Sequence, residues 1–144
     1  MAEVRIHETG ELKWDRMGDL YPAEMAAAMN DADRDSTMRT HELGADGSLH
    51  LQEFEFLPGA KVDLHAHDLP EIIYVVSGTL HFGNRELAAG SSAYVGAETL
   101  YAFTAGSEGT RILVFMADGR AKYWFEDDFK QHLADRNVAA VQSA

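Results

Sequence analysis

Stretches rich in β-branched and aromatic residues recur along the middle of the chain, each a strand's length and each bounded by turn residues. They cover 49–57, 71–76, 79–82, 92–95, 101–103, 111–116 and 121–125. Pro58-Gly59, Ser77-Gly78, Gly83-Asn84, Ala89-Gly90, Gly106-Ser107-Glu108-Gly109 and Asp118-Gly119 separate them. Short strands at this spacing predict an all-β sandwich or barrel. In 49–57 the acids Glu53 and Glu55 alternate with Phe54 and Phe56, which predicts the phenylalanines inward and the acids outward. The same register turns His50 and Gln52 inward.

Two segments have helical character. Residues 22–29 begin with a proline suited to a first helical turn and continue in strong helix formers. Near the end, Phe125, Phe129 and Leu133 recur every fourth residue, an apolar stripe on one helix face. Such helices cap a barrel or cover a sheet edge; alternatively one of them closes the barrel mouth or joins two subunits. The polar stretch 30–48 reads as loop or an extra edge strand. The expected organisation is an N-terminal extension (1–48) with a short helix, one barrel (49–125), and a C-terminal helix and tail (126–144).

Composition narrows the classes of function. A chain of 144 residues fits one domain. It contains no cysteine, which excludes disulfides, thiolate metal sites and a cysteine nucleophile, and points to a reducing, cytoplasmic setting. The net charge of −12 repels phosphate backbones and anionic lipid, so neither nucleic acid nor membrane is an expected partner. The first residues carry no cationic head before an apolar stretch, so no signal peptide is expected. The acid-rich run 31–35 reads as solvated surface.

One constellation carries chemistry. His65 and His67 are two apart, so both side chains point to one face of an extended chain. Asp68-Leu69-Pro70 then turns the chain, and Glu71 opens a strand whose apolar run, Ile72-Ile73-Tyr74-Val75-Val76, marks it as buried. Two imidazoles and a carboxylate can thus converge inside a barrel. That set suits Fe(II), Mn, Zn, Ni or Cu, and with open positions it is the facial arrangement of non-haem iron oxygenases.

The spacing Gly59, five residues, His65-Ala66-His67, three residues, Glu71, six residues, Gly78 resembles the first motif of the cupin superfamily. The second motif of that family is degraded here. Gly90 matches it, but Gly96 stands where proline is expected, Glu98 where glycine is, Tyr101 where the metal-binding histidine is, and Ala105 where asparagine is. The resemblance spans about residues 49–117 and implies a double-stranded β-helix, or jelly-roll barrel, with one divalent transition metal ion, iron first. His65, His67, Glu71 and Tyr101 are the implied metal residues. Tyr101 has three readings: a phenolate ligand, a proton donor beside the metal, or a packed aromatic residue in a decayed site. His50, Gln52, Phe54 and Phe103 are candidates for contact with a small-molecule substrate.

The resemblance further implies a metal-dependent small-molecule enzyme. Small single-domain cupins include iron dioxygenases acting on diketones and aromatic compounds, and that is the leading expectation. A non-redox lyase, isomerase or cyclase is the alternative, as is a non-catalytic ligand-binding cupin. Exposed edges and the stripe on the last helix point to a homodimer.

Overall fold

The computed structural model describes residues 2–45 and 47–143. The chain forms β1 (Asp15–Arg16), three short helices α1 (Met17–Leu20), α2 (Ala23–Ala28) and α3 (Asp31–Asp35), and then β2 (Thr37–Glu42). The strands β3 (His50–Phe56), β4 (Lys61–His67), β5 (Glu71–Phe82), β6 (Arg85–Ala88), β7 (Ser92–Val95), β8 (Tyr101–Met116) and β9 (Tyr123–Phe125) follow. Helix α4 (Glu126–Ser143) ends the chain.

All pairings are antiparallel, and the sheet curls into a jelly-roll barrel in the order β1-β2-β3-β8-β4-β9, with β5 joining β8 to β6 and β7. Strand β8 is the hub. Its C-terminal half lies between β3 and β5, and its N-terminal half between β4 and β5. The inner face buries Phe56, Ile73, Val75, Leu80, Phe103 and Ile112. Along β5, Glu71, Ile73 and Val75 are buried while Ile72, Tyr74 and Val76 are exposed, the period-2 pattern of a sheet wetted on one side.

Two expected turns are bends inside continuous strands. Segments 71–76 and 79–82 join through Gly78 into β5, and 101–103 and 111–116 join through 106–109 into β8. Gly78 and Gly109 have φ of 73° and 78°, where a side chain is strained. A Cβ on Gly78 would lie 2.1 Å from the Gly109 carbonyl oxygen. The two longest strands therefore bend together where both lack side chains, which carries the ladder around the barrel corner.

The flanking elements differ from expectation in detail. The 22–29 helix forms as α2, and 30–48 supplies α3 and the strand β2, which is not itself the edge because the two-residue β1 pairs along its outer side. The acidic run 31–35 is not simply solvated surface. It is α3, capped by Asn30, with Asp33 buried and its Oδ1 accepting from the Lys61 N–H at 2.7 Å. Phe125 belongs to β9, and α4 starts one residue later with Glu126, Asp127 and Asp128 at its positive end. Helix α4 packs on β4 and β9 and so covers that sheet edge. Glu53 points outward as its register predicts, yet it is buried. Arg39 Nε donates to it at 2.6 Å, Trp14 covers the guanidinium at 4.4 Å, and the Thr9 carbonyl accepts from Arg39. The N-terminal arm thus roofs this ion pair. Tyr94 and Phe115 stand on the exposed outer face.

Candidate metal centre

His65 and His67 come from the end of β4, and Glu71 from the start of β5 across the Asp68-Leu69-Pro70 turn. One feature of β4 decides which face they take. Val62 pairs with Phe103 but His65 pairs with Tyr101, so β4 spends one more residue than β8 between these pairs. This bulge lets Val62 and His65 both face the interior and leaves Leu64 exposed. The ligand atoms of His65, His67 and Glu71 then lie within 4.8 Å of one another.

Both imidazoles are oriented from behind. His65 Nδ1 lies 2.8 Å from the Asp63 carbonyl, and His67 Nδ1 lies 2.8 Å from the Lys122 carbonyl. A carbonyl only accepts, so each Nδ1 carries a proton and Nε2 is the ring nitrogen left to face an ion. Burial lowers the His65 pKa to about 4, which keeps that ring neutral at ordinary pH. Burial pushes the Glu71 carboxyl up, against the opposing effect of the Tyr101 hydroxyl, which donates to its Oε1. Tyr101 is itself buried, and burial together with the Glu71 charge drives its pKa upward. The hydroxyl therefore holds its proton and aims it at the carboxylate. Two imidazole lone pairs and a carboxylate, with their supporting partners in place, fit a divalent transition ion.

These groups line an inner cavity of about 210 Å³ whose remaining wall is largely apolar. No protein-family model matches the sequence, and no curated protein matches it. Solved structures do match. An RmlC-like cupin protein from Ralstonia eutropha JMP134 aligns over 99% of this chain and 89% of its own, at 16% identity and a TM-score of 0.63. KdgF from Halomonas sp. aligns over 61% and 84%, at 20% identity and a TM-score of 0.53. A deletion mutant of Bacillus subtilis oxalate decarboxylase aligns over 76% of this chain and 32% of its own, at 20% identity and a TM-score of 0.55. The chain has the cupin fold.

Within this cupin barrel, Gln52, Phe54 and Phe103 line the inner cavity beside His65, His67, Glu71 and Tyr101. His50 lies in the same row of the sheet, since both it and Glu71 pair with Met116. It is not on the cavity wall. It is buried with its Nδ1 2.6 Å from the Leu43 carbonyl, under the loop that leaves β2. Tyr101, at the position of the expected fourth histidine, is the residue paired with His65.

Sequence reasoning missed Tyr123. Strand β9 pairs with β4 so that His65 meets Phe125 and His67 meets Tyr123. The Tyr123 ring stacks on His65 at 4.5 Å and 5° and meets His67 edge-on at 5.2 Å. The alternation Tyr123-Trp124-Phe125 was the available signal for a strand, with Trp124 on the other face against His132 at 4.4 Å. Nothing local says that this strand joins β4. Glu98, standing where the motif expects glycine, has φ of 57° and its N–H donates to the His67 carbonyl at 2.7 Å. Its carboxylate accepts from Arg136 and His132 of α4, which ties the last helix to the strand bearing the ligands.

Proposed function

We propose that this chain is a metal-dependent enzyme acting on a small organic molecule through an oxygen donor, and that its chemistry is proton transfer, as in a lyase or isomerase. The convergence of His65, His67 and Glu71 supports the metal. The observation that carries the reaction class is the Tyr101 hydroxyl, buried at the site and hydrogen-bonded to Glu71. A divalent ion held there supplies Lewis acidity toward a substrate oxygen. The chain's own groups do the rest. Tyr101 Oη takes a proton from the substrate as its own proton passes to the Glu71 carboxylate that accepts its hydrogen bond, and the reverse relay returns a proton to the substrate. Phe54, Phe103 and Tyr123 exclude water, and the Gln52 amide offers an orienting hydrogen bond.

The iron dioxygenase reading keeps one observation in its favour, since two histidines and one carboxylate leave several positions open. Oxygen dependence separates the two. Turnover that persists without oxygen and survives replacement of iron by zinc supports proton transfer. Turnover that stops without oxygen, with stoichiometric oxygen uptake on diketones or hydroxylated aromatics, sinks it.

The homodimer belongs to the same proposal, with a cytoplasmic setting. Ile72, Tyr74, Tyr94 and Phe115 stand exposed on the outer face of β5, β7 and β8, and Ile72 is paired with both Tyr94 and Phe115, which makes a continuous apolar patch. Light scattering that gives twice the chain mass, and the single mass for Phe115→Lys, supports this face as the interface. Among the described residues no helix is long and apolar enough to cross a membrane.

A further inference from the structure

The inner cavity is small for its place in the fold. At about 210 Å³ it falls below the roughly 300–1,000 Å³ usual for ligand pockets. A second cavity of about 350 Å³ adjoins it, and the two share Met17, Tyr21, Phe56, Val62 and Tyr123 as common wall. Helices α1 and α2 roof this outer chamber. Met25, Ala28, Met29 and Phe125 complete its apolar lining, and Met25 is 38% exposed, which marks the open side.

The chemistry of the two walls differs. Among the described residues the inner wall carries the metal residues, Gln52 and tyrosine hydroxyls, but no lysine or arginine. A second anionic group on the substrate would find no partner there, and a polyhydroxylated body would leave most of its hydroxyls unsatisfied. The outer wall adds Met25 and Met29 to the shared Met17, as the inner wall adds Met38 and Met116, and such side chains reshape around flexible apolar groups; what the outer wall lacks is any of the metal residues. Of its polar members, the Asp33 carboxylate accepts from the Lys61 backbone N–H, the Asn30 side chain accepts from the Asp33 N–H, and the Lys61 ammonium lies 3.6 Å from Asp63, both of these last side chains largely in solvent.

We propose that the substrate is an amphiphile, with an oxygen-donor head of a few heavy atoms in the inner cavity and an unbranched apolar tail in the methionine-lined chamber under α1 and α2. Tyr123, stacked on His65 and facing both chambers, is the positioning residue at the join. The head's location rests on the metal reading above, whereas the tail chamber stands on its own walls.

Calorimetry with straight-chain hydroxamic acids, from acetohydroxamic to octanohydroxamic acid, tests this on the zinc-loaded full chain and on the metal-free protein. The expected result is tightening by about threefold per methylene, a little under the value for full burial. Ala28→Phe, at an exposed helix position that tolerates substitution, fills the chamber and flattens the series by weakening the longer members. Met25→Trp does the same by a second route. A series flat in chain length overturns the proposal, and so does a slope that survives both substitutions. Acetohydroxamic acid that binds zinc-loaded and metal-free protein equally strikes the metal site instead. The tail chamber is then judged from the chain-length slope of the metal-free protein.

Discussion

Tyr101→Phe removes one oxygen and separates the readings of this residue. Glu71 is 4% exposed and Tyr101 7% exposed, so only water inside the cavity that both line can stand in for the lost hydroxyl. A hydrogen bond to a buried charged group contributes about 1.5–3 kcal/mol. In the metal-free protein at pH 8 the variant should lose that much stability, read as a lower urea midpoint at unchanged slope. The pH dependence has a definite sign. The folded pKa of Glu71 is raised, so its contribution to stability is fully present below the ordinary carboxyl range and is lost as pH rises through the folded value. Without the hydroxyl that value rises further, and the difference between variant and parent should shrink toward acidic pH. With an ion on Glu71 the carboxylate has another partner, so the stability loss is smaller, while losing the group that orients this ligand lowers metal affinity by about tenfold or more. Were Tyr101 a phenolate ligand, metal binding by the parent would instead release a phenol proton that the variant does not release. Coincident urea midpoints at pH 8 for the metal-free proteins, or that extra proton released on metal binding, refutes the donor role.

Three further outcomes are expected. His65→Ala leaves two ligand residues, and elemental analysis of tag-free protein should fall from one equivalent of metal to a small fraction. Glu53→Ala strands Arg39 under Trp14 and Thr9, which costs about 3 kcal/mol and lowers the melting temperature by several degrees. Burial pushes Glu53 up, but Arg39 and His41 outweigh it and hold the carboxyl low, so the parent's excess stability should be present above the ordinary carboxyl range and fade as pH falls through the lowered folded value. Gly78→Ala places a methyl group on the Gly109 carbonyl at positive φ and should cost about 2 kcal/mol or more in a urea titration; the same change at Gly47, whose Cβ would meet nothing, should cost less.

The legible part of the site was its local part. His65, His67 and Glu71 lie within seven residues of one another, and two-residue periodicity plus a turn suffices to bring them together. Tyr101 was legible only as a departure from a motif. Its bond to Glu71 depends on β8 running between β4 and β5, which no local pattern states. Tyr123 was invisible for the same reason, since its strand acquires meaning from pairing with β4 fifty-odd positions earlier. Gly78 and Gly109 were misread as turn ends because a glycine that bends a strand and one that ends it look alike in sequence.

Sequence alone determined the alternation of inward and outward residues, the strand-rich middle of the chain, and a ligand triad compact enough to be written in one stretch. These follow from the geometry of an extended backbone, which acts over two or three residues. Tertiary structure alone decided the bulge that faces His65 inward, the carbonyls of Asp63 and Lys122 that set the imidazole tautomers, and the packing of α1 and α2 that opens a second chamber beside the first. Those depend on which distant strands become neighbours, and that choice is made by burying the whole inner face at once rather than by any residue's own preference.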